Sequence, residues 1–246
     1  MYDAMLAETV TIRGDGADEI EAYLARPMSQ GPHGGVVVLY HMPGYDAPTK
    51  EIARTFAVHG YNTIMPNLYH RDAPGASPDD AAAAARAQGG VPDARLIGEV
   101  AGAAAYLRGL SNSNGKVGVI GYCSGGRQSV LAAVSLPLEA AVDCYGAFVI
   151  GSPPEGMPLK IGPIKHLIKD LSCPLLGLFG ADDKYPSPEQ VTELEQELKD
   201  QGKTYEFHSY EGAGHAFFSV NRPAYRPEAA MDGWQHIFTW FGRYLA

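Results

Sequence analysis

The chain has 246 residues, 46% of them hydrophobic and 19% charged, which suits one α/β domain with a sizeable core. No uninterrupted apolar run approaches a membrane span, and a formal net charge of -9 withholds the basic footprint that nucleic acid or an anionic lipid surface requires. The expected partner is a small molecule and the expected form a monomer or small homo-oligomer. The start, Met1-Tyr2-Asp3-Ala4-Met5, lacks the basic and apolar segments of a secretory signal. Cys123, Cys144 and Cys173 are odd in number and widely spaced, so they form neither a disulfide framework nor a zinc pattern. A reducing cytoplasm is the expected compartment.

Along the chain, Thr9 to Arg13 and Glu19 to Ala25 alternate apolar with polar residues around Gly14-Asp15-Gly16, which predicts an N-terminal hairpin at a sheet edge. Val36 to Tyr40 is apolar on both faces, as a central parallel strand should be. Helix Lys50 to His59, strand Tyr61 to Met65 and helix Asp93 to Leu110 follow. Next come an apolar strand from Lys116, a helix from Arg127 to Ser135, and strands Ala140 to Tyr145 and Leu175 to Phe179. Helix Pro188 to Gln201, strand Thr204 to Tyr210 and helix Glu228 to Tyr244 complete the series. Strands alternating with helices predict an α/β fold, a mostly parallel sheet with helices on both faces and ligands at the C-terminal strand ends. Residues 66 to 92 and 146 to 172 break this rhythm. Long excursions of this kind are candidate walls of a substrate pocket, although the run Ala81 to Ala85 is helix-favouring without any function.

The run Lys116 to Gly126 reads Lys-Val-Gly-Val-Ile-Gly-Tyr-Cys-Ser-Gly-Gly, the strand, turn and helix start of a nucleophile elbow with sulfur in place of the usual hydroxyl. Gly121 and Gly125 let strand and helix approach closely while the Cys123 side chain projects above the sheet. The helix N-terminus beside the sulfur favours its thiolate form. A cysteine nucleophile needs a base, and the base an orienting group. Strand Leu175 to Phe179 ends in Gly180-Ala181-Asp182-Asp183, and strand Thr204 to Tyr210 ends in Glu211-Gly212-Ala213-Gly214-His215. The order Cys, Asp, His is that of α/β-hydrolases, whose acid stands three residues after the strand-ending glycine; this prefers Asp183, with Asp182 in reserve. The oxyanion donors expected are the amides of Ser124, directly after the nucleophile, and Met42, in the loop after Val36 to Tyr40, where Pro43 offers no N–H. His33, His59, His70, His166, His208 and His236 accompany no motif, and no metal-ligand spacing is visible.

With these residues in place the chain resembles the dienelactone hydrolase family of α/β-hydrolases, on the Lys116 to Gly126 block, Pro66-Asn67-Leu68-Tyr69, Gly180 to Asp183 and Tyr210 to His215. The resemblance implies a sheet of about eight strands in one domain spanning residues 1–246, and a Cys-His-Asp triad without metal or cofactor. It also implies hydrolysis of esters or lactones, anionic ones included, as by carboxymethylenebutenolidases, through an acyl-cysteine. Founding members bind the substrate carboxylate with an arginine after the Pro-x-Leu-Tyr strand, which Arg86 matches, and carry a glutamate beside the resting thiol where this chain has His41. His41 is therefore expected at the substrate or the oxyanion loop. The family's second arginine is replaced by Ser219, with Arg222 slightly further on. An elbow does not specify the leaving group, so thioesters, phosphotriesters and non-catalytic capture of a small ligand stay open.

Overall fold

The computed structural model describes residues 4–246; Met1 to Asp3, on which part of the leader reading falls, lie outside the described residues. Among the described residues there are eight strands: β1 (Met5–Arg13), β2 (Glu19–Pro27), β3 (His33–Leu39), β4 (Asn62–Pro66), β5 (Ser113–Tyr122), β6 (Ala140–Cys144), β7 (Leu175–Gly180) and β8 (Tyr205–Tyr210). They form a single sheet in the order β1-β2-β4-β3-β5-β6-β7-β8. The β1/β2 and β2/β4 pairs are antiparallel, and every pair from β4 through β3 to β8 is parallel. The apolar runs of β3, β5 and β7 lie on interior strands and are buried on both faces, as a parallel core requires. At the outer edge, β8 is half-buried along most of its length.

Among the described residues six α-helices flank the sheet: α1 (Ala47–Val58), α2 (Pro78–Gln88), α3 (Asp93–Arg108), α4 (Ser124–Ser135), α5 (Pro188–Asp200) and α6 (Pro227–Leu245). Helices α1 and α6 meet through Phe56, whose ring contacts Trp234, Phe238 and Phe241 edge-on. Helices α3 and α4 pack together, and the buried Arg127 of α4 reaches Asp93 at the start of α3 with both guanidinium nitrogens at 2.8 Å.

Several boundaries differ from the sequence expectation. The first hairpin begins at Met5 rather than Thr9, because pairing with β2 runs unbroken from Met5 opposite Pro27 to Arg13 opposite Glu19. The elbow helix begins at Ser124 rather than Arg127, since Cys123 itself is the residue that departs from helical angles. Part of the first excursion is helical: Ser77 caps α2 by accepting from the Asp80 amide, and Gly89 closes it in the left-handed region.

Candidate active site

Three parallel strands deliver the three chemical groups. Between β3 and β6, β5 ends at Tyr122 and turns sharply at Cys123, which is held at φ 58 and ψ -118 as only an over-determined residue is. The surrounding glycines are dictated by space. A Cβ on Gly121 would collide with the Gly125 carbonyl, and one on Gly125 would collide with the Leu39 carbonyl of β3. Only this sequence of small residues lets α4 start directly over the strand end, which aims Sγ into the cavity above the sheet.

Asp183 follows β7 and His215 follows β8. As an imidazolium, His215 donates Nδ1–H to Asp183 Oδ2 at 2.8 Å and Nε2–H to Cys123 Sγ at 2.9 Å. The Asp183 side chain is only 2% exposed, and its other oxygen accepts from the Tyr185 amide at 2.9 Å. Burial disfavours charge on His215, but the hydrogen bonds and charges of Asp183 and Cys123 outweigh it and push its pKa up to about 10. Asp182 lines the same cavity, yet its backbone is tied to the Ala213 carbonyl and the carboxylate that meets the imidazole belongs to Asp183.

Met42 and Ser124 both border the cavity beside Cys123, and neither backbone amide has an acceptor among the described residues. Two free donors on either side of a nucleophile can hold an oxygen that gains negative charge. The cavity has a volume of about 980 Å³. Its walls come from the two excursions: Tyr69, Arg86 and Val91 from the first, Phe148, Met157 and Leu159 from the second. Arg86, on α2, is exposed and lacks a carboxylate partner among the described residues. Burial raises the pKa of Tyr69, with the charge of Cys123 adding to the shift and Arg86 opposing it, so both act on the same part of the wall.

His41 does not line this cavity, which leaves it beside Met42 in the loop after β3 and not at the cavity wall. It lines a second cavity of about 120 Å³ with Thr49, Ile52, Tyr122 and Tyr145. The chain after β3 turns there, so Met42 borders the cavity with Cys123 while the ring of His41 faces α1. Burial lowers the pKa of His41, and the charges of Arg222 and His215 lower it further against Asp46. Arg222 borders neither of these two cavities. Two buried groups escape sequence reasoning. Arg127 also donates to the Gly162 carbonyl at 2.7 Å, fastening the second excursion to the helical layer. Asp143, within β6, accepts from the Gly146 amide at 2.7 Å, and burial raises its pKa to about 7 against that bond and the charge of His215.

The strand order, the elbow and the Cys-Asp-His sequence of loop residues define the α/β-hydrolase class. The chain matches the description "Dienelactone hydrolase family" over residues 20–245, and it belongs to that family. It is 33% identical to the Escherichia coli K12 protein named "Putative carboxymethylenebutenolidase" over 98% of this chain and 89% of that one. Among solved structures, a "Putative Dienelactone Hydrolase" from Klebsiella pneumoniae superposes with a TM-score of 0.86 at 30% identity, covering 98% of this chain and 100% of the other. A dienelactone hydrolase-like promiscuous phosphotriesterase from metagenomic libraries shares the fold, with a TM-score of 0.77 at 23% identity, covering 99% and 100% of the two chains.

Proposed function

We propose that the protein hydrolyses carboxylic esters or lactones with Cys123 as nucleophile, His215 as proton carrier and Asp183 as its orienting acid. The observation that carries this reading is the unbroken relay from Asp183 Oδ2 through the imidazole to Cys123 Sγ, at 2.8 and 2.9 Å. An imidazolium with a pKa of about 10 is a charge partner for a thiolate and keeps a proton ready for a leaving group. The sulfur attacks the carbonyl carbon, and the displaced π pair moves onto oxygen between the Met42 and Ser124 amides. Collapse breaks the acyl C–O bond, and the departing alkoxide takes the Nε2 proton of His215. Water then returns a proton to Nε2 as its oxygen attacks the thioester, and the thiolate leaves the free acid behind.

Cys123→Ala should abolish turnover of a small aryl ester while circular dichroism stays that of the wild type; undiminished activity would remove the sulfur from the mechanism. Mass spectrometry after a stoichiometric ester pulse should show an acyl adduct on Cys123 that disappears within the turnover time. An adduct that never clears would support capture of a ligand instead of hydrolysis. Phosphotriester hydrolysis is a second reading, favoured by the likeness to the promiscuous phosphotriesterase fold and by an apolar cavity that imposes few polar constraints on the substrate. Relative kcat/KM on an ester and phosphotriester panel separates the two.

A further inference from the structure

Far along β8 from the loop that carries His215, the fold joins three groups that the sequence keeps apart. Glu206 and His208 stand two residues apart on one face of β8, and His236 comes from α6, packed against that face. One donor atom from each lies within 4.8 Å of the others. Glu206 Oε1 sits 2.9 Å from His208 Nε2 and 3.5 Å from His236 Nδ1. Donors at tetrahedral zinc, bound at roughly 2.0 to 2.1 Å, are about 3.3 Å from one another, so these separations bracket the requirement.

The other nitrogen of His236 completes the pattern. Nε2 lies 3.3 Å from Asp232 Oδ2, and that carboxylate also accepts from the Tyr210 hydroxyl at 2.9 Å. A carboxylate behind one imidazole nitrogen fixes the tautomer and leaves the opposite nitrogen's lone pair for a metal, the arrangement that supports ligating histidines. The side chains of Glu206, His208 and His236 are 38%, 28% and 30% exposed, which leaves a fourth position open to water. The two rings stack at 3.6 Å with planes 29° apart, and an ion between them requires the rings to splay; partial exposure on an edge strand permits this.

We propose that Glu206 Oε1, His208 Nε2 and His236 Nδ1 form a binding site for a divalent transition ion of the zinc class, with Asp232 and Tyr210 holding His236 in register. Two imidazoles and one carboxylate suit zinc or cobalt better than calcium or magnesium, which prefer all-oxygen shells. A bound ion would tie the edge strand to α6 independently of the hydrolytic site.

The test uses untagged full-length protein stripped with chelator, carrying Cys123→Ala so that the thiol cannot compete for the ion. Calorimetric titration with Zn²⁺ should give one site per chain with a dissociation constant in the micromolar range or tighter. His208→Gln or His236→Gln should weaken binding at least about 100-fold, and Asp232→Asn about 10- to 100-fold. Binding only at millimolar Zn²⁺, or equal binding by the His208→Gln/His236→Gln double variant, would overturn the site. Should a variant fail to fold, wild-type protein titrated with Co²⁺ decides the question: paramagnetic shifts must be largest at the ring protons of His208 and His236, and largest shifts elsewhere overturn the proposal.

Discussion

His215 with Asp183, and His208 with Glu206, are nearly the same contact by distance, 2.8 Å against 2.9 Å, and both histidines come from β8 or the loop leaving it. Their surroundings separate them. The two imidazoles are similarly exposed, 35% for His215 and 28% for His208, but the Asp183 side chain is 2% exposed and the Glu206 side chain 38%, so water reaches the carboxylate of the second pair and not that of the first. A shielded ion pair keeps most of its Coulomb energy and can dictate a protonation state, whereas a wet one contributes at most about 1 kcal/mol. The difference also reflects the backbone. His215 stands on a loop that places a ring over the strand ends, while His208 stays in the ladder with its ring held along the sheet face.

The largest expected effect breaks the buried pair. His215→Gln should lower kcat by about four to six orders of magnitude, and Asp183→Asn by up to about four, measured on the same aryl ester at constant pH. A loss below tenfold in either variant would show that burial of this pair serves the fold and not the chemistry. At the wet pair, Glu206→Gln should change the unfolding free energy in urea by no more than about 1 kcal/mol in metal-free buffer. A larger loss would mean the two environments differ less than their exposures indicate.

What the sequence discloses follows the same division. Cys123 is legible because the elbow's steric demand falls on Gly121 and Gly125, and a residue type forced by contact with the backbone leaves a mark at fixed spacing. His215 is legible because it follows a strand through a glycine-rich turn. Asp183 against Asp182 is not decided by the residues alone; it is decided by the bond between the Asp182 amide and the Ala213 carbonyl, a contact across 31 positions of chain. His41 and Met42 are neighbours in sequence and face different cavities, a matter of loop torsion that residue types do not encode. Glu206, His208 and His236 carry no shared motif, because the docking of α6 on β8 is what assembles them. The mostly parallel character of the sheet and its N-terminal edge hairpin are legible, since strands alternate with helices after the hairpin, but the strand order is not, and the exact start of β1 is set by its partner strand.

Asp143 sharpens the comparison by supplying burial without a cation in direct contact. It is fully buried, its Oδ1 accepts from Gly146, and its Oδ2 has no partner among the described residues. Its pKa stands at about 7 in the fold against an ordinary 3.8. Between those values the folded chain keeps a proton that the unfolded chain has released, so stability from this group is full at the acid end and declines as pH rises toward 7. The unfolding free energy of wild type relative to Asp143→Asn should therefore fall between about pH 4 and pH 7, by about 4 kcal/mol over the whole titration, and level off above it. A difference that stays flat, or rises with pH, would show that Asp143 is ionised in the fold.

Two arginines at the cavity carry the contrast into substrate selection. Arg127 is 2% exposed, gripped by Asp93 and by the Gly162 carbonyl, and has little capacity left for a ligand. Arg86 lines the same cavity with its charge unanswered by any described carboxylate, so an anionic substrate would lose less solvation there than at any locked cation. Arg86→Ala should raise KM about tenfold for an aryl ester bearing a carboxylate, the factor that about 1.4 kcal/mol of charge-assisted bonding yields, and leave kcat and the KM of the uncharged ester within twofold. Equal changes for both esters would assign Arg86 to holding α2 in place, and no change for either would leave the cavity to its apolar walls alone.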